Sequence, residues 1–329
     1  MSDSNPSPAP PTTAQAAQQL SELSAALNRI VIGQHEVIDQ TIAAMMAGGH
    51  LMIEGVPGLA KTLLAQCLAT VMGGQFARIQ FTPDLMPADI TGHAMYDMKS
   101  EKFRLRRGPV FCNVLLADEI NRAPAKTQAA LLEVMQERRV TIEGKSLPVP
   151  DPFLVIATQN PIEHEGTYLL PEAQLDRFLM KVLIDYPSAA DEARIALNLA
   201  GMRDDLASLA ETLTPMLDPE RALALRALAR KVRIDDALAE YAVAIVRATR
   251  EWPGISIGAG PRASIALLRA AQASALMDER DFIVPDDIKR YATACLRHRI
   301  LLSAEMQMEG QRSDDLLARV IEAQQAPRQ

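Results

Sequence analysis

Five short apolar runs are separated by segments with helical spacing between residues 51 and 186. Continuous apolar runs of this length that alternate with helices are typical of strands in a parallel sheet covered on both faces. The runs are LMIE (51–54), ARIQF (77–81), VLLAD (114–118), FLVIAT (153–158) and KVLIDY (181–186). The pattern therefore predicts an α/β fold with a parallel five-stranded sheet.

Helices and a hairpin are predicted in the segments around these strands. Apolar residues from Leu63 to Met72 fall on one face of a helix that Gly73-Gly74 ends. Earlier helices are predicted over about 15–28 and 35–47. Within 138–150, RRVTIEGKSLPVP alternates apolar and polar positions around Glu143-Gly144, which predicts a hairpin before the fourth strand.

The strand signals stop after Pro187, and Ala-rich helical patterns continue to the end of the chain. Five helices are predicted to begin near Ala189, Asp218, Asp235, Pro261 and Pro285. We therefore predict three parts: a disordered, Pro-rich tail over 1–14, an α/β core over 15–187 and a helical domain over 188–329.

Composition narrows the class of protein. The 34 Lys and Arg against 41 Asp and Glu give a formal charge of −7, which argues against a broad nucleic-acid footprint. No apolar stretch is long enough to span a membrane, and no secretory leader pattern is present. Three widely spaced cysteines without C-x-x-C spacing indicate neither a disulfide framework nor a zinc site, so we expect a cytoplasmic protein.

The strongest chemical signal is GVPGLAKT at 55–62, directly after the first strand and at the start of a helix. In such a loop, backbone N–H groups surround a triphosphate, Lys61 reaches the β- and γ-phosphates, and the Thr62 hydroxyl can ligate Mg²⁺. The general pattern G-x-x-x-x-G-K-[ST] has glycine where this chain has Ala60. A methyl group is tolerated there at negative φ and strained at positive φ.

Polar residues end two further predicted strands. Asp118 and Glu119 follow VLLA, so that Asp118 can hold the Mg²⁺ shell while Glu119 polarises an attacking water. Asn160 follows FLVIATQ and can hydrogen-bond that water or the γ-phosphate. Arg177 and Arg262 each lie near a structural boundary, and an arginine near a γ-phosphate stabilises phosphoryl transfer, even when a second subunit supplies it.

This set of motifs resembles the AAA+ ATPases, and specifically the MoxR family, from about Ile30 to Met306. The resemblance rests on GVPGLAKT, RIQFTPDLMPADITG, LLADEINRAPAKTQAALLE, ATQNP, EGTYLLPEAQLDRF and GPRAS. Ala60 in the phosphate loop is itself typical of that family. The resemblance implies a P-loop AAA+ core with a C-terminal all-helical lid domain, binding ATP or ADP with Mg²⁺ at the subunit interfaces of a homo-oligomeric ring, usually a hexamer.

By motif, the resemblance implies a role for each candidate residue. Asp118 and Glu119 correspond to Walker B, Asn160 to sensor one, Arg177 to the arginine finger and Arg262 to sensor two, with Thr62 and Asp118 holding the metal. The nucleotide-binding Walker A segment is Gly55, Val56, Pro57, Gly58, Leu59, Ala60, Lys61, Thr62 and Leu63. Residues 82–108 and the hairpin at 138–150 resemble the family's two insertions. The first insertion can displace the lid, which leaves open whether Arg262 acts in its own subunit or in the neighbour.

MoxR-like proteins are thought to act as chaperone-like factors that mature or activate metalloenzymes and other complexes, commonly with a partner that bears a von Willebrand factor A domain. The D-x-S-x-S motif of that partner is absent here, so the resemblance implies a motor without the adaptor. Two other functions stay open: a nucleotide-gated assembly switch with little turnover, and a metal chelatase-type motor subunit. An intact Glu119 and Arg177 favour a hydrolysing motor over a switch.

Two further patterns in the sequence are less specific. GISIG at 254–258 matches the G-x-S-x-G pattern of a hydrolase nucleophile, but Trp252-Pro253 before it and Gly260-Pro261 after it do not fit the required strand and helix. KFRLRRGP at 102–109 is the only concentrated basic stretch, and its alternation predicts a strand with one face towards solvent. In a ring, this stretch is a candidate for contact with substrate.

Overall fold

The computed structural model describes residues 11–56, 58–99, 101–160, 168–200 and 206–327. Its N-terminal part contains one 3₁₀ turn, Ile120–Arg122, and the following helices and strands: α1 (Thr13–Ile30), α2 (His35–Ala47), β1 (Leu51–Glu54), α3 (Lys61–Val71), β2 (Phe76–Gln80), α4 (Pro87–Thr91), β3 (Gly92–Asp97), β4 (Lys102–Arg107), β5 (Val114–Asp118), α5 (Ala125–Glu137), β6 (Arg139–Ile142), β7 (Lys145–Pro148), β8 (Leu154–Gln159), α6 (Glu172–Leu175) and β9 (Met180–Leu183).

The C-terminal part is mostly helical. Its elements are α7 (Ala189–Ala200), α8 (Leu206–Glu211), α9 (Pro219–Ala229), α10 (Asp236–Ala248), β10 (Ile255–Ile257), α11 (Pro261–Met277), α12 (Pro285–Leu296), β11 (Leu301–Leu302), α13 (Ala304–Met308) and α14 (Ser313–Ala323). All five helix starts predicted from the sequence are confirmed to within one residue. Side-chain caps from Asp218 and Asp235 explain two of them, because each carboxylate accepts a hydrogen bond from an N–H of the first turn.

The first helix begins two residues earlier than the sequence predicts. Helix α1 begins at Thr13, where Thr12 and Gln15 form a capping box with reciprocal hydrogen bonds between side chain and backbone. The rest of the tail prediction, residues 1–10, lies outside the described residues. The division at residue 187 stays a prediction, because the helical part packs on the same apolar cluster as the sheet.

The central sheet is parallel, with strand order β2-β5-β8-β1-β9, as the apolar runs predict. Successive side chains of a strand point to opposite faces, and the core follows this rule. Leu51 and Ile53 belong to the apolar cluster on one face of the sheet, whereas Met52 belongs to the cluster on the other. Helices therefore cover both faces, which is why the strands read as continuous apolar runs rather than alternating ones.

The strand register brings the ends of four strands to one edge. Glu54 pairs with Gln159, and Gln80 pairs with Asp118, so β1, β8, β2 and β5 end at nearly the same level. Ligands of open parallel sheets bind outside the carboxyl ends of the strands. The polar residues that follow these strands are therefore collected at one place.

Two antiparallel hairpins are inserted into this core. The pair β3–β4 lies within the predicted insertion at 82–108, and the pair β6–β7 lies within the predicted hairpin at 138–150. The basic stretch forms a strand, β4, as predicted, but it is exposed on more than one face: Phe103 and Arg107 are exposed as well as Lys102, Arg104 and Arg106 on the opposite face. Near the hairpin end, Tyr96 and Phe103 stack edge to face at 5.3 Å although both are about half exposed or more.

A buried histidine links stability to pH. The Nδ1 atom of His50 accepts a hydrogen bond from the Val155 N–H at 3.0 Å, and its Nε2 atom donates to the Met135 carbonyl at 3.2 Å. This geometry needs a neutral ring, and burial together with the nearby charge of Arg138 lowers the pKa of His50 to about 3. The ring therefore stays neutral in the folded state at pH values where an unfolded histidine gains a proton.

We expect the free energy of unfolding to fall by about 1.4 kcal/mol between pH 7.5 and 5.5 because of His50 alone, since only the unfolded state binds the proton there. Urea unfolding of the native sequence and of His50→Gln at both pH values measures this term as a difference in pH dependence. His35→Gln, which changes an exposed histidine at the start of α2, is the control. Equal pH dependence in the native sequence and His50→Gln would contradict the assignment.

Candidate functional site

The phosphate loop joins β1 to α3, with Pro57 outside the described residues. Helix α3 starts at Lys61 and has no side-chain cap, so the N–H groups of its first turn face the loop without a side-chain acceptor. Leu63 and Leu64 are buried in the core and fix the helix against the sheet. An uncapped helix N-terminus of this kind is suited to bind phosphate.

Two residues in the loop have positive φ. Ala60 has φ 57° and ψ 21°. Because its φ is positive, the methyl group strains the backbone there by about 1 kcal/mol. Gly58 has φ 86°, and apart from its chain neighbours no described residue has a heavy atom within 4 Å of the place where a Cβ would stand. The loop thus turns sharply into α3 and leaves open space above Gly58.

Lys61 is held at the mouth of this space. Its Nζ atom donates hydrogen bonds to the carbonyl of Gly55 at 2.6 Å and to the carbonyl of Val56 at 3.3 Å. Burial lowers the pKa of Lys61, while the charges of Asp118 and Glu119 oppose that shift. The ammonium group therefore lies between the loop and the two carboxylates.

The carboxylates at the end of β5 have different partners. Asp118 accepts hydrogen bonds from the Thr158 hydroxyl and from Arg78, both at 2.6 Å. Glu119 has φ 54°, which turns the chain there, and its carboxylate accepts from Gln80 at 2.8 Å and from Arg122 at 3.0 Å. Adjacent in sequence, the two carboxylates thus face different surroundings.

Thr158 connects Asp118 to Glu119. Its hydroxyl donates to Asp118 and accepts from the Glu119 N–H at 2.9 Å, which fixes the end of β5 to the end of β8. Sequence reasoning did not single out Thr158, Arg78 or Gln80, because all three lie within apolar strand patterns. The feature of the sequence that could have indicated them is their polarity near the end of a predicted strand.

One cavity of about 450 Å³, the phosphate cavity, contains most of the candidate residues in its lining. Asn160, which is 6% exposed, enters it from the end of β8. The lining residues are Gly58, Ala60, Lys61, Thr62, Leu63, Gln66, Arg78, Gln80, Asp118, Glu119 and Asn160. Cationic, anionic and amide groups therefore meet where an uncapped helix begins.

These groups fit Mg²⁺ bound together with phosphates. Among the residues that the structure describes, no group of three or more His, Cys, Asp or Glu side chains is placed to hold a metal. Mg²⁺ is commonly bound by one or two protein ligands plus nucleotide phosphates and water, rather than by a complete protein cage. Asp118 and Thr62, which line the cavity, match that requirement.

Arg177 and Arg262 lie in a different cleft of about 360 Å³, and neither lines the cavity beside Lys61. Arg177 donates to the Leu132 carbonyl at 3.1 Å and to the Gln136 side chain. Arg262 lies 3.8 Å from Asp176 and is mostly exposed. Within one chain, the structure therefore separates the two arginines from the other predicted catalytic residues.

The second cleft is strongly cationic. Arg138, Arg269 and Arg299 also line it, whereas Asp176 is the one carboxylate among the described residues of its lining. Arg299 fixes Asp176 through an ion pair of 2.7 Å and donates to the Phe178 carbonyl at the same distance. Arg262 of α11 and Arg299, which follows α12, thereby connect the helical part to the segment that carries Arg177.

The G-x-S-x-G match is not a nucleophile. Ser256 lies in β10, which pairs with β11, and its hydroxyl donates to the carbonyls of Leu301 and Leu302 at 3.0 and 3.1 Å. Its geometry is that of a structural hydroxyl, in agreement with the sequence interpretation. The described residues also contain no helix that is both long and apolar enough to cross a membrane.

Comparisons with known proteins agree with this geometry. Residues 50–180 match the family described as ATPase family associated with various cellular activities (AAA), and residues 247–320 match the AAA lid domain. Chaperone MoxR1 of Mycobacterium tuberculosis is 45% identical over 84% of this chain and 74% of its own length. Protein MoxR of Methylorubrum extorquens is 33% identical over 91% of this chain and 92% of its own length.

A solved structure extends the likeness to three dimensions. The crystal structure of a protein from Cytophaga hutchinsonii, provisionally assigned as an ATPase, has a TM-score of 0.88 and 39% identity, covering 96% of this chain and 97% of that one. The parallel sheet, the phosphate loop after β1 and the carboxylates at the end of β5 define a P-loop core of the AAA+ class, followed by a lid. Within that class, the chain belongs to the MoxR family.

Proposed function

We propose that the chain is a Mg²⁺-dependent ATPase that works as a homo-oligomeric ring, with a hexamer as the expected form. The observation that carries the proposal is the separation of two complementary clefts in one chain, one with the phosphate loop and carboxylates and one with arginines. A cationic cleft can complete the phosphate cavity of another copy, so each active site would be formed by two neighbouring subunits.

Each residue then has a defined chemical task. Lys61 and the N-terminus of α3 bind the phosphates and orient the γ-phosphate. Glu119 accepts a proton from the attacking water, and Asn160 hydrogen-bonds that water or the γ-phosphate. Mg²⁺, when bound by Thr62 and Asp118, neutralises charge on the phosphates. Arg177 and Arg262 of the neighbouring subunit stabilise the charge that develops on the transferred phosphoryl group.

The use of the hydrolysis energy is also part of the proposal. The relative from M. tuberculosis is named a chaperone, and we propose chaperone-like remodelling, maturation or activation of protein complexes or metalloenzymes for this chain. A separate protein with a von Willebrand factor A domain would be the adaptor. The three free cysteines are all buried, which fits action in the reducing cytoplasm.

ATP hydrolysis should depend on assembly. We expect specific activity with Mg²⁺ to rise with protein concentration as rings form, because a single chain does not bring Arg177 and Arg262 to its own phosphate cavity. Phosphate release and particle mass, recorded at each concentration, measure both quantities. Glu119→Gln, assayed in parallel, gives the background from contaminating ATPases.

Two results would contradict the proposal. Constant specific activity from a monomer would mean that one chain completes its own site. Bound ATP without turnover at any concentration would favour a nucleotide-gated assembly switch.

A further inference from the structure

Arg78 is a charged residue on β2 that the resemblance to the family does not assign. It stands two positions before Gln80, whose register partner on β5 is Asp118. The guanidinium Nη2 atom donates to Asp118 Oδ2 at 2.6 Å and to Gln80 Oε1 at 2.9 Å. The side chain is about half exposed and lines the phosphate cavity.

The bond to Arg78 occupies the second oxygen of Asp118. Oδ1 of this carboxylate accepts the Thr158 hydroxyl, and Oδ2 accepts the guanidinium. Thr158 is neutral, buried and tied to the backbone of Glu119, so it is compatible with a metal nearby. A guanidinium and a divalent cation at the same carboxylate repel each other, so both cannot keep close contact with Asp118.

We propose that Arg78 is the counter-ion of Asp118 in the metal-free site, that Mg²⁺ displaces it, and that the displaced guanidinium binds the terminal phosphate of the nucleotide. The proposal rests on the proposed function, since it needs Mg²⁺ and nucleotide in this cavity. Arg78 is well suited to the exchange because its exposed side chain can move within the same cavity. A guanidinium also binds phosphate with two parallel hydrogen bonds.

The exchange has two consequences for binding. Arg78 competes with the metal, so its presence raises the Mg²⁺ concentration needed at the site. Arg78 also prefers a nucleotide whose terminal phosphate is within its reach, so its presence changes the ratio of affinities for ATP and ADP. A surface ion pair with no role at the site would change neither the Mg²⁺ concentration needed nor the ratio of affinities for ATP and ADP.

The test uses the full-length chain and a fluorescent methylanthraniloyl ADP, titrated with Mg²⁺ in place of an activity assay. In Arg78→Gln we expect the Mg²⁺ concentration for half-maximal nucleotide binding to fall about three- to tenfold, because the competing cation is removed. The ratio of ATP to ADP affinity should change as well, measured by displacement of the fluorescent nucleotide. Arg78→Lys keeps the charge and should give an intermediate Mg²⁺ requirement.

Arg122→Gln is the matched control, because Arg122 is a similarly exposed arginine that contacts Glu119 instead of Asp118. Its half-maximal Mg²⁺ concentration should stay within about twofold of the native value.

An unchanged Mg²⁺ requirement in both Arg78 variants would overturn the proposal while leaving nucleotide binding intact. Failure of the native chain to bind nucleotide at all would instead overturn the proposed function. Circular dichroism of each variant shows that the fold is kept, and Arg78→Lys carries the test if Arg78→Gln does not fold.

Discussion

Replacing Lys61 with alanine is expected to lower the affinity for Mg²⁺–ATP by about a hundredfold or more, because a charge-assisted bond to the phosphates is lost in a partly buried cavity. The Lys61 ammonium group is half-buried between the loop carbonyls and the carboxylates, and it is the only lysine among the described residues that line the cavity. Binding of a fluorescent ATP analogue, measured at equilibrium, tests this directly.

Glu119→Gln separates binding from chemistry. The substitution keeps the size of the side chain and removes the group that accepts the proton from water, so ATP should still bind while turnover falls about a hundredfold or more. Comparable loss of ATP binding in Lys61→Ala and Glu119→Gln would contradict the assignment of both residues.

Lys181→Ala is a matched control for the lysine. Lys181 lies on β9, next to β1, and forms an ion pair of 2.7 Å with Glu54. Glu54 is the residue directly before the phosphate loop. It lies outside the lining of the phosphate cavity. The control therefore removes a lysine near the same loop and should leave the ATP affinity within about twofold of the native value. A large loss of affinity in this variant would mean that the loop responds to any nearby change of charge.

The sheet could be predicted from the sequence because burial on both faces makes its strands continuous apolar runs. The bounds of β1 and β5 agree with the prediction, while β2 and β8 are shifted by one residue. The last strand is shorter than predicted and ends at Leu183. Backbone pairing decides where a strand ends, and an apolar run alone does not define that point.

The polar contacts of the site were harder to predict than its motifs. Lys61, Asp118 and Asn160 stand out because each ends an apolar strand or begins a helix. Arg78 and Thr158 reach Asp118 only through the register of β2, β5 and β8, which no local pattern encodes. The positive φ of Ala60 likewise depends on how the loop enters α3. Long-range pairing therefore supplies what the motifs do not contain.

The roles of Arg177 and Arg262 stay predictions. The resemblance to the MoxR family implied roles for Arg177 and Arg262 but left open which subunit Arg262 serves. The structure places both in a cleft apart from the phosphate cavity of the same chain. For Arg262 this favours action on a neighbouring subunit. That interpretation can be tested most sharply through Arg177, whose side chain is tied to α5 of the core.

Arg177→Ala should bind ATP with nearly native affinity and lose about a hundredfold or more of its turnover, because the arginine stabilises the transition state from a neighbouring subunit. Phosphate release and nucleotide binding measure the two effects separately. Arg194→Ala removes an exposed arginine that pairs with Asp191, outside both clefts, and should leave turnover unchanged.

Mixed rings decide between action within a chain and action across an interface. An Arg177→Ala subunit keeps Glu119, and a Glu119→Gln subunit keeps Arg177, so their shared interface can contain both groups. In an equal random mixture, about a quarter of the interfaces would be complete, and turnover should recover towards that fraction although each variant alone is inactive. If Arg177 served its own subunit, every site in the mixture would lack either the base or the arginine. Turnover that stays at the level of the separate variants, in rings shown by mass to be mixed, would therefore exclude a shared active site.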